Sequence, residues 1–147
     1  MVKKSFLRLF GAVTLLIILA DQLSKYFILL KQPQINAFFL TIHVVYNTGA
    51  GFGILQNNTT ALAIISAIVA LIIIFTYKQI PSHHEAQVFM ALFLGGTIGN
   101  LLDRIFRKVV IDFIDLAFWP AFNIADMAIT IGALGLVIYF WKNEKSF

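Results

Sequence analysis

Four apolar stretches, each about the length of a membrane span, dominate this sequence of 147 residues. They cover approximately residues 9–30, 59–77, 86–104 and 124–141. The charged residues inside them are Asp21, Lys25, Asp103, Arg104 and Asp126. Because about 20 mostly apolar residues cross a hydrocarbon core roughly 30 Å thick, the pattern predicts four transmembrane helices. The predicted fold class is an α-helical membrane protein.

The composition agrees with this class and excludes others. Hydrophobic residues make up 60% of the chain and charged residues 12%, and the mean hydropathy of +0.88 is unlike that of soluble domains. The net charge of +4 comes from bases scattered over termini and loops rather than forming a stripe, so no nucleic-acid partner is expected. Without cysteine, the chain has no disulfide, thiol nucleophile or cysteine metal site.

Basic residues flank the first and last stretches: Lys3, Lys4, Arg8, Lys142 and Lys145. The positive-inside tendency therefore predicts a multi-pass protein with both termini in the cytoplasm. The basic group at residues 104–108 opposes this orientation, but aspartates close by are expected to pair with it. The first stretch also has the basic start of a signal peptide, but it is long and its cleavage pattern is poor, which favours a retained span.

The long outer loop predicts a small extracytoplasmic β-sheet at about residues 35–55. Phe39 to Asn47 is rich in β-branched and aromatic residues, and Gly49, Gly51 and Gly53 follow at alternate positions. This pattern indicates a strand that leads into a tight, glycine-rich turn. The alternative is a re-entrant segment packed among the helices. Residues 1–147 are predicted to form a single membrane domain.

Asp21 and Lys25 lie four residues apart on the first predicted helix, hence on one face. An isolated charge in a membrane is costly, so both side chains are expected to point into the bundle or towards the outer headgroups and to neutralise each other. Two interpretations stay open. The pair is either structural, or it braces the wall of an active site.

The third stretch ends in a second polar group. Gly95 and Gly99 form a small-x-x-x-small face that allows a neighbouring helix to approach closely. Asn100 and Arg104 lie one turn apart and offer donors suited to a carbonyl or carboxylate. The alternative partners are loop carboxylates: Asp103 or Asp115.

Asp112 and Asp126 are the most informative pair, because carboxylates in so apolar a chain are costly and usually serve a function. Asp112 follows an apolar, strand-like triplet, and Asp126 lies in the first turn of the fourth helix, where the helix dipole favours negative charge. Both are expected near the outer face. If they meet, they share one proton near neutral pH. One could then take a proton from water while the other polarises a peptide carbonyl.

Asn123 lies three residues before Asp126 and is expected to orient a carboxylate or the substrate amide. The alternative is helix capping, which explains Asn123 or Asp126 but not Asp112. Other protease chemistries lack their motifs, since the chain has no His-Glu-x-x-His and no Gly-x-Ser-x-Gly sequence. No metal or other cofactor is expected.

Five short motifs follow one another between the predicted spans: Asp21-Gln22-x-x-Lys25, Asn47-Thr48-Gly49-Ala50-x-Phe52, Gly99-Asn100-x-x-Asp103-Arg104, Val110-x-Asp112-Phe113 and Phe122-Asn123-x-Ala125-Asp126. Each is short, but their order and spacing together resemble lipoprotein signal peptidase, the bacterial type II signal peptidase family. The resemblance covers nearly the whole chain.

The resemblance implies an aspartic endopeptidase of the bacterial inner membrane, with its active site near the outer face. Such an enzyme removes signal peptides from prolipoproteins, cutting before a cysteine that bears diacylglycerol. Asp112 and Asp126 match the catalytic positions. The matching supporting or substrate-binding positions are Asn47, Gly49, Asn100, Arg104, Asn123, Asp21 and Lys25. Membrane lipids are expected partners, globomycin is expected to occupy the same cleft, and a monomer is expected.

The chain departs from the family pattern at three positions. Gly51 stands where alanine is frequent, Met127 where a small residue is usual, and Lys108 where glycine is common. Two other function classes stay open: a small transporter or proton relay that uses the intramembrane carboxylates, and a membrane scaffold whose aspartates only cap helices. A relay predicts polar residues along every span, whereas the second stretch has only serine and threonine.

Overall fold

The computed structural model describes residues 4–51 and 54–143, in which four α-helices and four β-strands form. The helices are α1 (Lys4–Lys31), α2 (Thr59–Phe75), α3 (His84–Phe106) and α4 (Ile124–Asn143). The strands are β1 (Ile35–Ala37), β2 (Leu40–Asn47), β3 (Val110–Leu116) and β4 (Trp119–Phe122). Phe52 and Gly53, which belong to the motif and turn predicted from the sequence, lie outside the described residues.

Three of the described helices, α1, α3 and α4, are long and apolar enough to cross a membrane. Helix α2 has 17 residues and falls at the short end of the range for a span. Each helix overlaps one of the four apolar stretches. A mostly helical membrane fold is thus confirmed, while the crossing by α2 stays a prediction.

Helix α3 is the centre of the bundle, because it contacts each of the other three helices. Its glycines permit this close packing. A Cβ atom at Gly95 would lie 3.0 Å from the carbonyl oxygen of Thr14 and 2.8 Å from Cβ of Ile17, both on α1. The small-residue face predicted at Gly95 and Gly99 therefore receives α1. Large apolar side chains such as Leu16 and Val137 point outwards, as a lipid-facing surface requires.

The four strands form one antiparallel sheet in the order β1-β2-β3-β4. In its central pair, Val45 lies opposite Asp112 and Asn47 opposite Val110. The strand predicted at Phe39 to Asn47 is confirmed as β2, whereas β4 was not predicted. Because β3 follows α3 and β4 precedes α4, the sheet is connected to the bundle at the α3 C-terminus and the α4 N-terminus.

Lys108, in the turn between α3 and β3, adopts a φ of 64°. This is the left-handed region, which an L-residue with a side chain enters at a cost of about 1–2 kcal/mol and glycine enters freely. Glycine would therefore adopt the conformation of this turn at a lower cost than Lys108 does.

Candidate active site

Asp112 lies within β3 and is 1% exposed. Two amide groups hold its carboxylate from different parts of the chain. Asn47, at the end of β2, donates from Nδ2 to Oδ2 at 2.8 Å, and Asn123, just before α4, donates from Nδ2 to Oδ1 at 2.7 Å. The pairing of β2 with β3 places Asn47 close enough to make the first of these bonds.

Asp126 is positioned by the way α4 begins. Its backbone N–H donates to Oδ1 of Asn123 at 2.9 Å, while the backbone N–H of Asn123 donates to Oδ2 of Asp126 at 3.2 Å. This reciprocal arrangement is a capping box, which satisfies amides that a helix N-terminus otherwise leaves unpaired. Asn100 on α3 donates to Oδ1 of Asp126 at 2.7 Å. The residue that caps α4, Asn123, is therefore also the residue that holds Asp112.

Asn123 joins the two carboxylates, because it holds Asp112 by its side-chain amide and Asp126 by its backbone. Burial, and next the negative charge of Asp126, raise the pKa of Asp112 well above its ordinary value, to about 7. The amide donors of Asn47 and Asn123 act in the opposite direction, since they favour the charged form. A carboxyl group with this pKa is protonated in a large fraction of molecules at neutral pH.

Lys25 lies at the centre of a buried ionic cluster behind Asp126. Its ammonium group is fully buried and contacts Oδ2 of Asp21 at 2.8 Å and Oδ2 of Asp103 at 2.9 Å. It also donates to Oδ1 of Asn100 at 3.0 Å. The predicted pairing of Asp21 with Lys25 is present, and Asp21 Oδ1 additionally accepts the backbone N–H of Ala125 in the first turn of α4 at 3.0 Å.

Asp103 connects this cluster to β3, a role that the sequence analysis did not assign to it. Its carboxylate accepts the backbone N–H of Ile111, the residue before Asp112, at 3.0 Å. It also accepts Nε2 of Gln22 at 3.1 Å and is ion-paired with Lys25 and Arg107. The sequence feature that could have indicated this role is the position of Asp103 three residues after Asn100, on the same side of α3.

Arg104 does not pair with either loop carboxylate considered from the sequence. Its Nη2 donates to the carbonyl oxygen of Gly49 at 3.2 Å, and its Nη1 donates to the carbonyl of Asn100 at 3.4 Å. Asp115 instead pairs with His43 at 2.9 Å on the sheet. Arg104 thus fixes the backbone that follows Asn47. That backbone is tightly packed, since a Cβ at Gly49 would lie 2.9 Å from the carbonyl oxygen of Ile54.

Two clefts lined by both polar and apolar residues, here called the polar clefts, open onto the carboxylates. One, of about 220 Å³, is lined in part by Asn47, Gly49, Arg104 and Asp126. The other, of about 240 Å³, is lined in part by Asp112, Asn47, Thr48, Ala50 and Gly51. Both clefts border Pro120 and Ala121 of β4. Across residues 4–51 and 54–143, no group of three or more His, Asp or Glu side chains is arranged to hold a metal ion.

Comparison with known proteins gives consistent results in sequence and in fold. Residues 13–142 match the family model for signal peptidase (SPase) II. The chain is 40% identical over 140 residues to the lipoprotein signal peptidase of Moorella thermoacetica, covering 90% of this chain and 91% of that protein. It is 35% identical over 141 residues to that of Halothermothrix orenii, covering 90% and 95%.

A solved structure described as a bacterial membrane enzyme, at 2.3 Å resolution, superposes on the chain with a TM-score of 0.90. The two share 30% sequence identity, and the match covers 99% of this chain and 95% of that one. A second bacterial membrane enzyme structure, at 1.9 Å, matches with a TM-score of 0.80 and 30% identity over 91% and 93% of the chains. The chain therefore belongs to the signal peptidase II family.

Proposed function

We propose that this chain removes the signal peptide from diacylglyceryl-modified prolipoproteins, cutting before the lipidated cysteine, and that Asp112 and Asp126 activate the attacking water. Membership of the signal peptidase II family supports the reaction. The observation that carries the mechanism is the joining of two aspartates through one asparagine at the border of two polar clefts.

The two aspartates, here called the dyad, have different roles in proton transfer. Asp112 carries the shared proton and donates it to the oxygen of the scissile carbonyl, while Asp126 takes a proton from water. The resulting hydroxide attacks the carbonyl carbon and forms a tetrahedral intermediate. When the C–N bond breaks, the proton held by Asp126 passes to the leaving amine and the proton on the carbonyl oxygen returns to Asp112. The dyad is then restored.

The remaining polar residues are proposed to hold the dyad in place. Asn47, Asn100 and Asn123 supply amide donors to its oxygen atoms. Lys25 and Asp21 fix Asn100 and the first turn of α4. Arg104 fixes the Gly49 backbone at the cleft wall.

We propose that all four helices of this single membrane domain cross the bacterial inner membrane, with the sheet on the outer face and both termini in the cytoplasm. Helix α2, with 17 residues, extends about 26 Å at 1.5 Å per residue, close to the roughly 30 Å of a hydrocarbon core. The apolar cluster that includes Phe10, Ile73 and Tyr139 then occupies the cytoplasmic half. An apolar core there favours hydrolysis at the outer face over a proton relay across the bilayer.

The function is tested by incubating the purified protein with a prolipoprotein in two forms, one with diacylglyceryl on its cysteine and one without it. We expect cleavage of the modified form immediately before the cysteine, at a rate at least about tenfold above that of the unmodified form. Mass spectrometry of both products identifies the bond that is cut. Cleavage at another bond, or equal rates for both forms, contradicts the proposal.

The activity should depend on pH in a definite direction. The pKa of Asp112 is about 7, so the rate should fall as pH rises through this value and the dyad loses its shared proton. It should also fall in acid, once both carboxyl groups are protonated, which gives a bell-shaped profile of kcat/KM. An Asp115→Asn variant should keep the same profile. A rate that is constant from acid to strongly alkaline pH rules out the shared proton.

A further inference from the structure

A third cavity runs between α4 and the β3–β4 hairpin and adjoins the 220 Å³ cleft, with which it shares Trp119, Phe122, Asp126 and Thr130. This α4 groove has a volume of about 380 Å³. Its apolar lining consists of Leu116, Phe118, Trp119, Phe122, Met127 and Ile131. Asp126 and Thr130 are its polar lining residues.

The α4 groove begins at the dyad and leads away from it along the helix. Ile131 lies about 8 Å further along α4 than Asp126, at 1.5 Å per residue. Met127 and Ile131 are four residues apart, hence on one face, and are 43% and 51% exposed. Because α4 is long and apolar enough to be a span, this face is directed at lipid. The groove therefore connects the reacting carboxylate to the hydrocarbon.

The groove and the clefts suit different parts of a substrate. A bound peptide backbone needs hydrogen-bond partners for its N–H and C=O groups, and Arg104 in the 220 Å³ cleft has N–H groups besides the two that bind Gly49 and Asn100. An alkyl chain needs none, and burying it is favourable in proportion to its apolar area. An α-helix about 10–12 Å wide is a poor occupant of a groove with the volume of a small-ligand pocket.

We infer that the α4 groove binds an acyl chain of the diacylglyceryl group on the substrate cysteine. This inference rests on the proposed function, in which that cysteine directly follows the scissile bond. Its lipid is therefore attached close to the dyad and must extend away from it. Met127 lines the groove, and its flexible thioether side chain can adjust to an alkyl chain beside it.

The test compares two synthetic substrates with the same peptide, one dipalmitoylated and one diacetylated on the glyceryl group, because the acetyl groups are too short to reach Ile131. Ile131→Trp narrows the groove away from the dyad, and Ile68→Trp on α2 is the matched control. Ile68 is 51% exposed, as Ile131 is, and does not line the groove. We expect Ile131→Trp to lower the ratio of kcat/KM for the long-chain substrate over the short-chain substrate about tenfold, and Ile68→Trp to leave this ratio unchanged.

A second measurement uses a substrate with a photoreactive diazirine close to the ester end of one acyl chain, bound to the Asp126→Asn variant. Labelling of residues 127–131 supports the inference, and labelling confined to α1 or α2 overturns it. An equal loss for both chain lengths in Ile131→Trp assigns the groove to the peptide and also overturns it. Failure of the unaltered protein to cleave either substrate would instead refute the proposed function.

Discussion

Asp112→Asn is expected to lower the rate of prolipoprotein cleavage at least about 1,000-fold, and Asp126→Asn to do the same, because each removes one partner of a paired acid and base. Asparagine has nearly the shape of aspartate but neither gives nor takes a proton at neutral pH. Both variants should fold, since the substitution keeps the side-chain volume and costs only the hydrogen bond of the one donor that loses its acceptor, about 1–3 kcal/mol. The measurement is single-turnover cleavage of a diacylglyceryl prolipoprotein by purified protein.

Asp115→Asn is the matched control for these variants. Asp115 lies on the same strand as Asp112, three residues further on, but its side chain is 39% exposed and pairs with His43 on the sheet. Exposed ion pairs contribute about 0–1 kcal/mol, so this variant should keep both its stability and its activity. Activity within tenfold of the unaltered protein in Asp112→Asn or Asp126→Asn would exclude that residue from the chemistry.

Lys25→Met is expected to destabilise the protein by about 3–5 kcal/mol, because it removes the cation of two buried carboxylates and leaves only Arg107, on Asp103. Lys25 lies between Asp21 and Asp103, and all three side chains are fully buried. The substitution also frees Oδ1 of Asn100, whose amide nitrogen holds Asp126 at 2.7 Å. We therefore expect cleavage to fall together with the thermal unfolding temperature in detergent.

Two further variants separate this effect from a general loss of charge. Lys31→Met removes an exposed lysine from the end of the same helix and should change the unfolding temperature little. The double variant Lys25→Met with Asp21→Asn removes one of the orphaned carboxylates and should recover part of the lost stability. Lys25→Met that unfolds at the same temperature as Lys31→Met would contradict the proposed role of the cluster.

The helices and the local pairs were predictable from the sequence because they depend on short spacing. Four residues on a helix are enough to bring Asp21 and Lys25 together. The β-branched and aromatic run before Asn47 was enough to predict β2. In the same way, Asn123 and Asp126 are three residues apart, and the capping alternative considered from the sequence describes part of their observed geometry.

The links between elements were beyond local reasoning. Asn47 and Asp112 are 65 residues apart, and they meet only because β2 and β3 pair in one register. The role of Asp103 depends on where the turn after α3 directs β3, which no spacing rule determines. Strand β4 was missed for a related reason. Its four residues include a proline and are too few to show an alternating pattern.

The bond between Asp21 and the Ala125 amide has a consequence for the biosynthesis of the enzyme. It joins the first helix to the last, across 104 positions of the chain, and Asp126 itself enters the membrane only with α4. A ribosome-bound chain that has inserted only α1 to α3 therefore holds Lys25, Asn100 and Asp112 without an assembled dyad. Peptidase activity should therefore appear only after α4 has packed against α1. The assembly of the helices thus sets the earliest time at which the enzyme can cleave a substrate.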